Sequence, residues 1–205
     1  MAKGDLTRLA ILERAAQVSS RSGLEGLTIG HLAELMGLSK SGVFAHFRSK
    51  EALQVQTLAY GAQLFVDRVV RPALKAARGE PRVRALFERW LEWAQADATR
   101  GGCMFVAASV ELDDHEGPAR DELVRQQKDW LELLGNVCRT AVAEGQFRQD
   151  LDAEQFAHDL HGVMLAYHHA RRLLRDPKAM ERTRASFERL VRSARPSPAE
   201  LPKPS

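Results

Sequence analysis

Residues 38–50, LSKSGVFAHFRSK, carry Lys40, Arg48, Lys50 and His46 with no acid, in a chain of 205 residues whose formal net charge is only +3. Clustered cations beside hydroxyl side chains suit polyanion binding: ammonium and guanidinium groups neutralise phosphates, while hydroxyls and backbone N–H groups donate to phosphate oxygens or base edges. With so small a net charge, attraction for nucleic acid must come from this clustering. A second candidate group is His158, His161, His168 and His169, where His158/His161 and His161/His168 are spaced to share a helical face. No cysteine or carboxylate accompanies them at a recognised ligand spacing, and HHARRLLR also reads as the basic end of a helix, so no metal and no cofactor is expected. Asp113, Asp114 and His115 are acid–base residue types, but contiguous residues point in different directions. No catalytic set emerges, and the chain is not read as an enzyme. Cys103 and Cys138 lack CxxC spacing and are expected as free thiols.

The elements that must hold these residues read as all-α, since helical periodicity runs nearly throughout and no alternating strand pattern stands out. The first helix is expected over 5–22, with Leu6, Leu9, Ala10, Ala16 and Val18 available for a core face and Gly23 as its stop. Thr28 can cap a short second helix with Ile29, Leu32, Ala33 and Leu35 inward, and Gly37 ends it. Ser39 caps a third helix through about His46, and Ser49 a fourth that starts at Lys50 and runs towards Pro72. Further helices are expected near 81–98, 103–112, 118–144, 152–175 and 177–193. Their starts are marked by Pro81, Pro118, an Asp152/Gln155 capping box and an Asp176–Pro177 cap. RPSPAELPKPS, with four of the eight prolines, is expected to be disordered. No apolar run reaches membrane-spanning length and MAKGDLTRLA lacks signal-peptide layout, so a cytoplasmic protein is expected.

The second helix, the turn MGLS and the third helix have helix-turn-helix dimensions. Ser39, Lys40 and Ser41 lie at the third helix's N-terminus, where side-chain donors and free N–H groups point outward together. Gly42 is unfavourable in a helix by about 1 kcal/mol but allows close backbone approach to a bulky surface. Read from charge and periodicity alone, the same cations also suit a solvated turn.

The stretch TIGHLAELMGLSKSGVFAHFRSKEAL, Thr28 to Leu53, resembles the DNA-binding motif of the TetR family of bacterial transcriptional regulators. The match combines the capped helix, Leu32-Ala33, Gly37, Ser39, Gly42, an aromatic at 44, His46-Phe47, and Lys50 followed by Leu53. The resemblance implies that Thr28 and Lys50 grip backbone phosphates, that Ser39, Lys40, Ser41 and Gly42 face the major groove, and that His46 approaches the backbone. Phe44 stands where the family usually has tyrosine, so it is expected mainly to pack, with a DNA edge contact at most; Phe47 is expected in the core.

The resemblance also implies residues 1–50 as the DNA-binding domain, 51–194 as a helical effector-binding and dimerisation domain, and 195–205 as a tail. Its partners would be a double-stranded operator, a small-molecule effector and a second copy of the chain. For the effector, the large apolar side chains Trp90, Trp93, Cys103, Met104, Phe105, Trp130 and Met164, with His161 and His168 as polar tips, are the candidates, although such residues also build ordinary cores. The apolar faces of the helices at 153–174 and 177–193 are candidates for a two-fold interface or for intrachain core. The rival functions are a helical small-molecule-binding protein or enzyme with an accidental helix-turn-helix, and a regulator that acts without an effector.

Overall fold

A computed structural model describes residues 3–96 and 101–197. The described backbone is helical, without strands: α1 (Lys3–Ser22), α2 (Ile29–Met36), α3 (Lys40–Phe47), α4 (Lys50–Phe65), α5 (Arg71–Ala73), α6 (Glu80–Gln95), α7 (Met104–Glu111), α8 (Pro118–Ala143), α9 (Ala153–Arg172) and α10 (Ala179–Ala194). The expected single helix from Lys50 to Pro72 is instead interrupted by a π-helical stretch, Val66–Val70. Proline has no N–H and its ring crowds the carbonyl four residues back, so a widened turn just ahead of Pro72 relieves the α-helical ladder. Most of the expected tail, residues 198–205, lies outside the described residues. Arg195, within that expected tail, is held by Glu80.

The chain forms two compact units. One comprises the residues up to Arg68 together with Glu92–Gln127, and the other Val69–Leu91 together with the residues from Lys128 onward. This packing cuts across the division expected at residue 50, because α4 and α7 both pack on α1. In the first unit Ile11, Leu24, Leu27, Leu32, Val43, Leu53 and Leu58 are fully buried. The expected face of α1 is corrected: Leu6, Leu9 and Ala10 are exposed, Ala16 and Val18 are half-buried, and the buried stripe is Ile11, Ala15 and Ser19, successive steps of four. In α2, Leu32 and Ala33 are buried, whereas Leu35 is exposed and Ile29 half-buried.

The second unit is organised by the α9–α10 pair, with Phe87 stacked on Phe187 at 3.8 Å between ring centroids and Trp90 edge-on to Tyr167 at 5.9 Å. Phe156, Leu160, Met164, Tyr167, Phe187 and Val191 are buried within one chain, so those apolar positions are intrachain core; Leu173 and Leu174 are exposed. Two caps differ from expectation. Asp152 Oδ1 accepts from Glu154 N and Gln155 N, but the Gln155 amide turns to Asp159 rather than closing a box. Asp176 accepts from Lys178 N within the turn before α10, which begins two residues later than Pro177.

Glu80 is nearly buried and accepts from Arg195 (2.8 and 2.5 Å) and from Arg84 (2.7 Å). The Arg195 hydrogen bond, reinforced by Arg84, holds its carboxyl below the usual glutamate range despite the burial. A depressed carboxyl stabilises the fold fully above its unfolded pKa, and that contribution is lost as pH falls through the folded value. Glu80→Gln should therefore cost about 1–2 kcal/mol near pH 7, the arginines being partly solvated. Urea denaturation should show the gap between wild type and variant closing as pH drops below the ordinary glutamate pKa; a gap independent of pH would remove Glu80 from this role.

Candidate nucleic-acid interface

Helices α2, α3 and α4 start in the same way. Thr28 is extended and its Oγ1 accepts from His31 N (3.1 Å); Ser39 Oγ accepts from Gly42 N (3.0 Å); Ser49 Oγ accepts from Ala52 N (3.0 Å). Each hydroxyl satisfies one of the N–H groups that a helix start leaves unpaired, and the others remain directed out of the helix end. Gly37 ends α2 at φ +64, with Leu38 N donating to Ala33 O, which turns the chain directly into α3. Arg48 ends α3 in the same left-handed region (φ +65), donating its N–H to Phe44 O. A long side chain in that conformation is uncommon, and here it separates the last residue of α3 from the Ser49 cap by a single residue.

Val43 and Phe47, four apart, are buried and attach α3 to its neighbours, leaving Lys40, Ser41, Phe44 and Arg48 exposed. Lys50 is exposed at the first position of α4. The Lys40 stem lies along α2: a Cβ at Gly30 would stand 3.4 Å from its Cε and 3.8 Å from its Nζ. The Lys40 charge thus lies near the N-terminal turn of α2 as well as that of α3. An open groove of about 540 Å³ between these helices is lined by both Lys40 and Glu34, an acid just outside the cationic stretch. At Gly42 a Cβ would meet only Ser39 Oγ, at 3.0 Å, so glycine protects the cap and leaves the outward side open. His46 is half-buried, its ring 6.2 Å from that of Phe47. Phe44 is not the packing residue expected: its side of α3 faces away from the buried Val43 and Phe47, and it is 52% exposed against 2% for Phe47.

The residues expected to bind an effector divide between the units. In the first, Trp93, Cys103, Met104 and Phe105 are buried, with Phe65 edge-on to Trp93 (5.5 Å) and Phe105 (6.0 Å). In the second, Trp90, Trp130 and Met164 are buried and His161 and His168 half-buried. Burial, then neighbouring His158 for His161 and Arg172 for His168, depresses both imidazoles, which favours their neutral forms. Burial raises the Cys103 thiol and pushes Cys138 up to about 12, so neither is a ready nucleophile. His168 Nε2 in the second unit and Gln126 Oε1 in the first are buried without a hydrogen-bond partner. Gln126 carried no sequence signal, because a glutamine in an amphipathic helix ordinarily faces water. Among the described residues no three histidine, cysteine or acidic side chains are grouped to hold a metal ion.

Residues 11–56 match the family described as bacterial regulatory proteins, tetR family, and residues 79–187 match the tetracyclin repressor-like C-terminal domain. The chain belongs to the TetR family. It is a DNA-binding transcriptional regulator. It is 26% identical over 154 residues to the HTH-type transcriptional repressor DhaR of Mycobacterium sp. strain GP1, spanning 73% of this chain and 74% of that one. A TetR regulator from Chloroflexus aurantiacus shares the fold at a TM-score of 0.83 and 24% identity, over 94% of this chain and 96% of the other. AibR, solved with isovaleryl coenzyme A and operator DNA, shares it at 0.65 and 24% identity, over 78% and 85%. In this TetR-family chain no described helix is long and apolar enough to cross a membrane.

The two phenylalanines of α3 give a paired test. Phe47→Ala should cost about 3–5 kcal/mol of stability, as emptied aromatic core sites do, whereas Phe44→Ala should stay within about 0.5 kcal/mol. Thermal and urea denaturation of both variants checks this; a large loss at Phe44 would mean that its ring is part of the core.

Proposed function

We propose that this regulator represses transcription by inserting α3 into the major groove of an inverted-repeat operator, and that an effector releases it. The observation that carries the reading is the solvent-facing side of α3, Lys40, Ser41 and Phe44, set between the capped starts of α2 and α4. In this reading Lys40 and Ser41 meet base edges and Ser39 stays occupied as the α3 cap. Gly42 lets the backbone come close, His46 approaches the phosphate backbone, and Thr28 and Lys50 mark the helix starts that hold phosphates. The α1–α3 segment acts as the reading head, with residues 1–50 as the DNA-binding domain, 51–194 as the effector and dimer domain and 195–205 as a tail. Repression rather than activation is supported by DhaR, itself a repressor.

The reading takes the protein as a homodimer acting in the cytoplasm, without catalysis or cofactor. The outward sides of α9 and α10 support the dimer. His158, Asp159, Gly162, Val163 and Ala166 of α9 with Arg182, Thr183 and Ser186 of α10 line an open groove of about 370 Å³ whose small residues permit close helix approach. The effector is read as a largely apolar molecule carrying a hydrogen-bonding group. Within the first unit, the buried Trp93 and Phe105 and the unpartnered Gln126 Oε1 support that. AibR, solved with isovaleryl coenzyme A and operator DNA, is one protein of this fold that binds a small molecule.

For DNA contact, the test is a gel-shift salt series on the duplex that the wild-type chain enriches from a random pool. Lys50→Ala should weaken binding to all sequences and reduce the slope of log affinity against log salt by about 0.9, the value of one lost phosphate contact. An unchanged slope removes Lys50 from the interface. Lys40→Ala should instead change which bases are preferred.

A further inference from the structure

We propose that Glu111 is a positioning residue for DNA binding: its carboxylate seats the α1–α2 loop and so couples the placement of α7 to that of α2 and α3. Glu111 is the last residue of α7, yet its Oε2 accepts from the backbone N–H groups of Leu24 (2.6 Å) and Glu25 (3.3 Å), 87 and 86 residues away in the chain. Successive N–H groups after a left-handed residue form a concave anion site, and Gly23 (φ +73) supplies that conformation. A Cβ at Gly23 would also coincide with the Glu111 carboxylate, so a side chain there would displace it. The loop is gripped from its other side by α4, whose Gln54 Nε2 donates to Leu24 O (2.9 Å). Leu24 and Leu27 are fully buried, and the next residue, Thr28, caps α2. The loop therefore has little freedom, and whatever moves its clamp moves the start of the reading head.

Two further observations point the same way. A carboxylate at a helix C-terminus opposes the helix dipole, so the position is unfavourable for α7 itself and finds its compensation in the two N–H groups it receives. The segment that follows also runs beside the loop: the exposed His115 Nε2 lies 3.7 Å from Glu25 Oε1. At its opposite end α7 carries Met104 and Phe105, about two helical turns from Glu111. Resting on the effector reading above, this makes α7 a short rigid strut with candidate effector contacts at one end and the α1–α2 loop at the other. Both ends lie in the same compact unit.

The experiment compares wild type, Glu111→Gln and Glu111→Ala on the duplex that the wild-type chain enriches from a random-sequence pool. Binding should weaken roughly tenfold in E111A, within the range usual for coupling between sites, and by less in E111Q, which keeps one acceptor oxygen. The salt slope should not change, because no phosphate-contacting cation is lost, and the amides of Leu24 and Glu25 should exchange faster. Gly23→Ala, which expels the carboxylate from the other side, should weaken binding in the wild-type background and do so less in the E111A background. A role confined to stability would lower the thermal midpoint and leave the affinity of the folded protein unchanged, and that result overturns the proposal. So does unchanged exchange at Leu24 and Glu25 in E111Q, which carries the test if E111A does not fold. If the wild-type chain enriches no sequence, the DNA-binding reading falls and takes this proposal with it; if it does and E111A binds equally well, the clamp alone is wrong.

Discussion

The reading head depends on fixing α3 while leaving most of its surface bare. An eight-residue helix is too short to persist alone, and Val43 and Phe47 are its only buried side chains. The rest of its stability has to come from its ends: the Ser39 hydroxyl on Gly42 N, the left-handed Arg48, and the Gly37 turn that ties it to α2. Those end contacts leave Lys40, Ser41 and Phe44 exposed to another molecule, with Ser41 Oγ 3.2 Å from Ser39 Oγ. The same constraint explains why α1 and α4 crowd this part of the chain, since short helices must lean on longer ones.

Charge is arranged on the same economy. Three capping hydroxyls are committed to N–H groups at the helix starts, so they set backbone geometry while Lys40 and Lys50 supply the charge. Lys40 is exposed with its stem across Gly30, beside the starts of α2 and α3. This concentrates positive potential on a narrow strip of a nearly neutral chain, and it places Glu34 at the margin, where repulsion of phosphate can limit how far α2 approaches.

Most of the reading head was legible in the sequence because its determinants are local. Thr28, Gly37, Ser39 and Ser49 act on residues within a few positions of themselves, and all four perform the expected caps or stop. The core face of α1 was not legible. Leu6 and Leu9 are as apolar as Ile11, and only the packing of α4 and α7 decides which stripe is covered. Phe44 misled for a related reason, because the family resemblance suggested packing while the helix phase set by Val43 and Phe47 turns it outward. Glu111 gave no signal at all, since its partners are backbone groups nearly ninety residues away. Among the effector candidates, the sequence found the buried aromatics but not Gln126, whose burial depends on long-range packing.

The account stands on the claim that α3 is the surface that meets DNA. The most direct measurement is residue-resolved amide hydrogen exchange of the full chain, with and without a duplex it has selected. Exchange should slow at residues 39–42 and at 50 and 51, where helix starts present N–H groups to phosphate or base edges, while α9 and α10 keep their free-state rates apart from their mutual interface. Slowing that spares α3 and falls elsewhere on the chain would contradict the account.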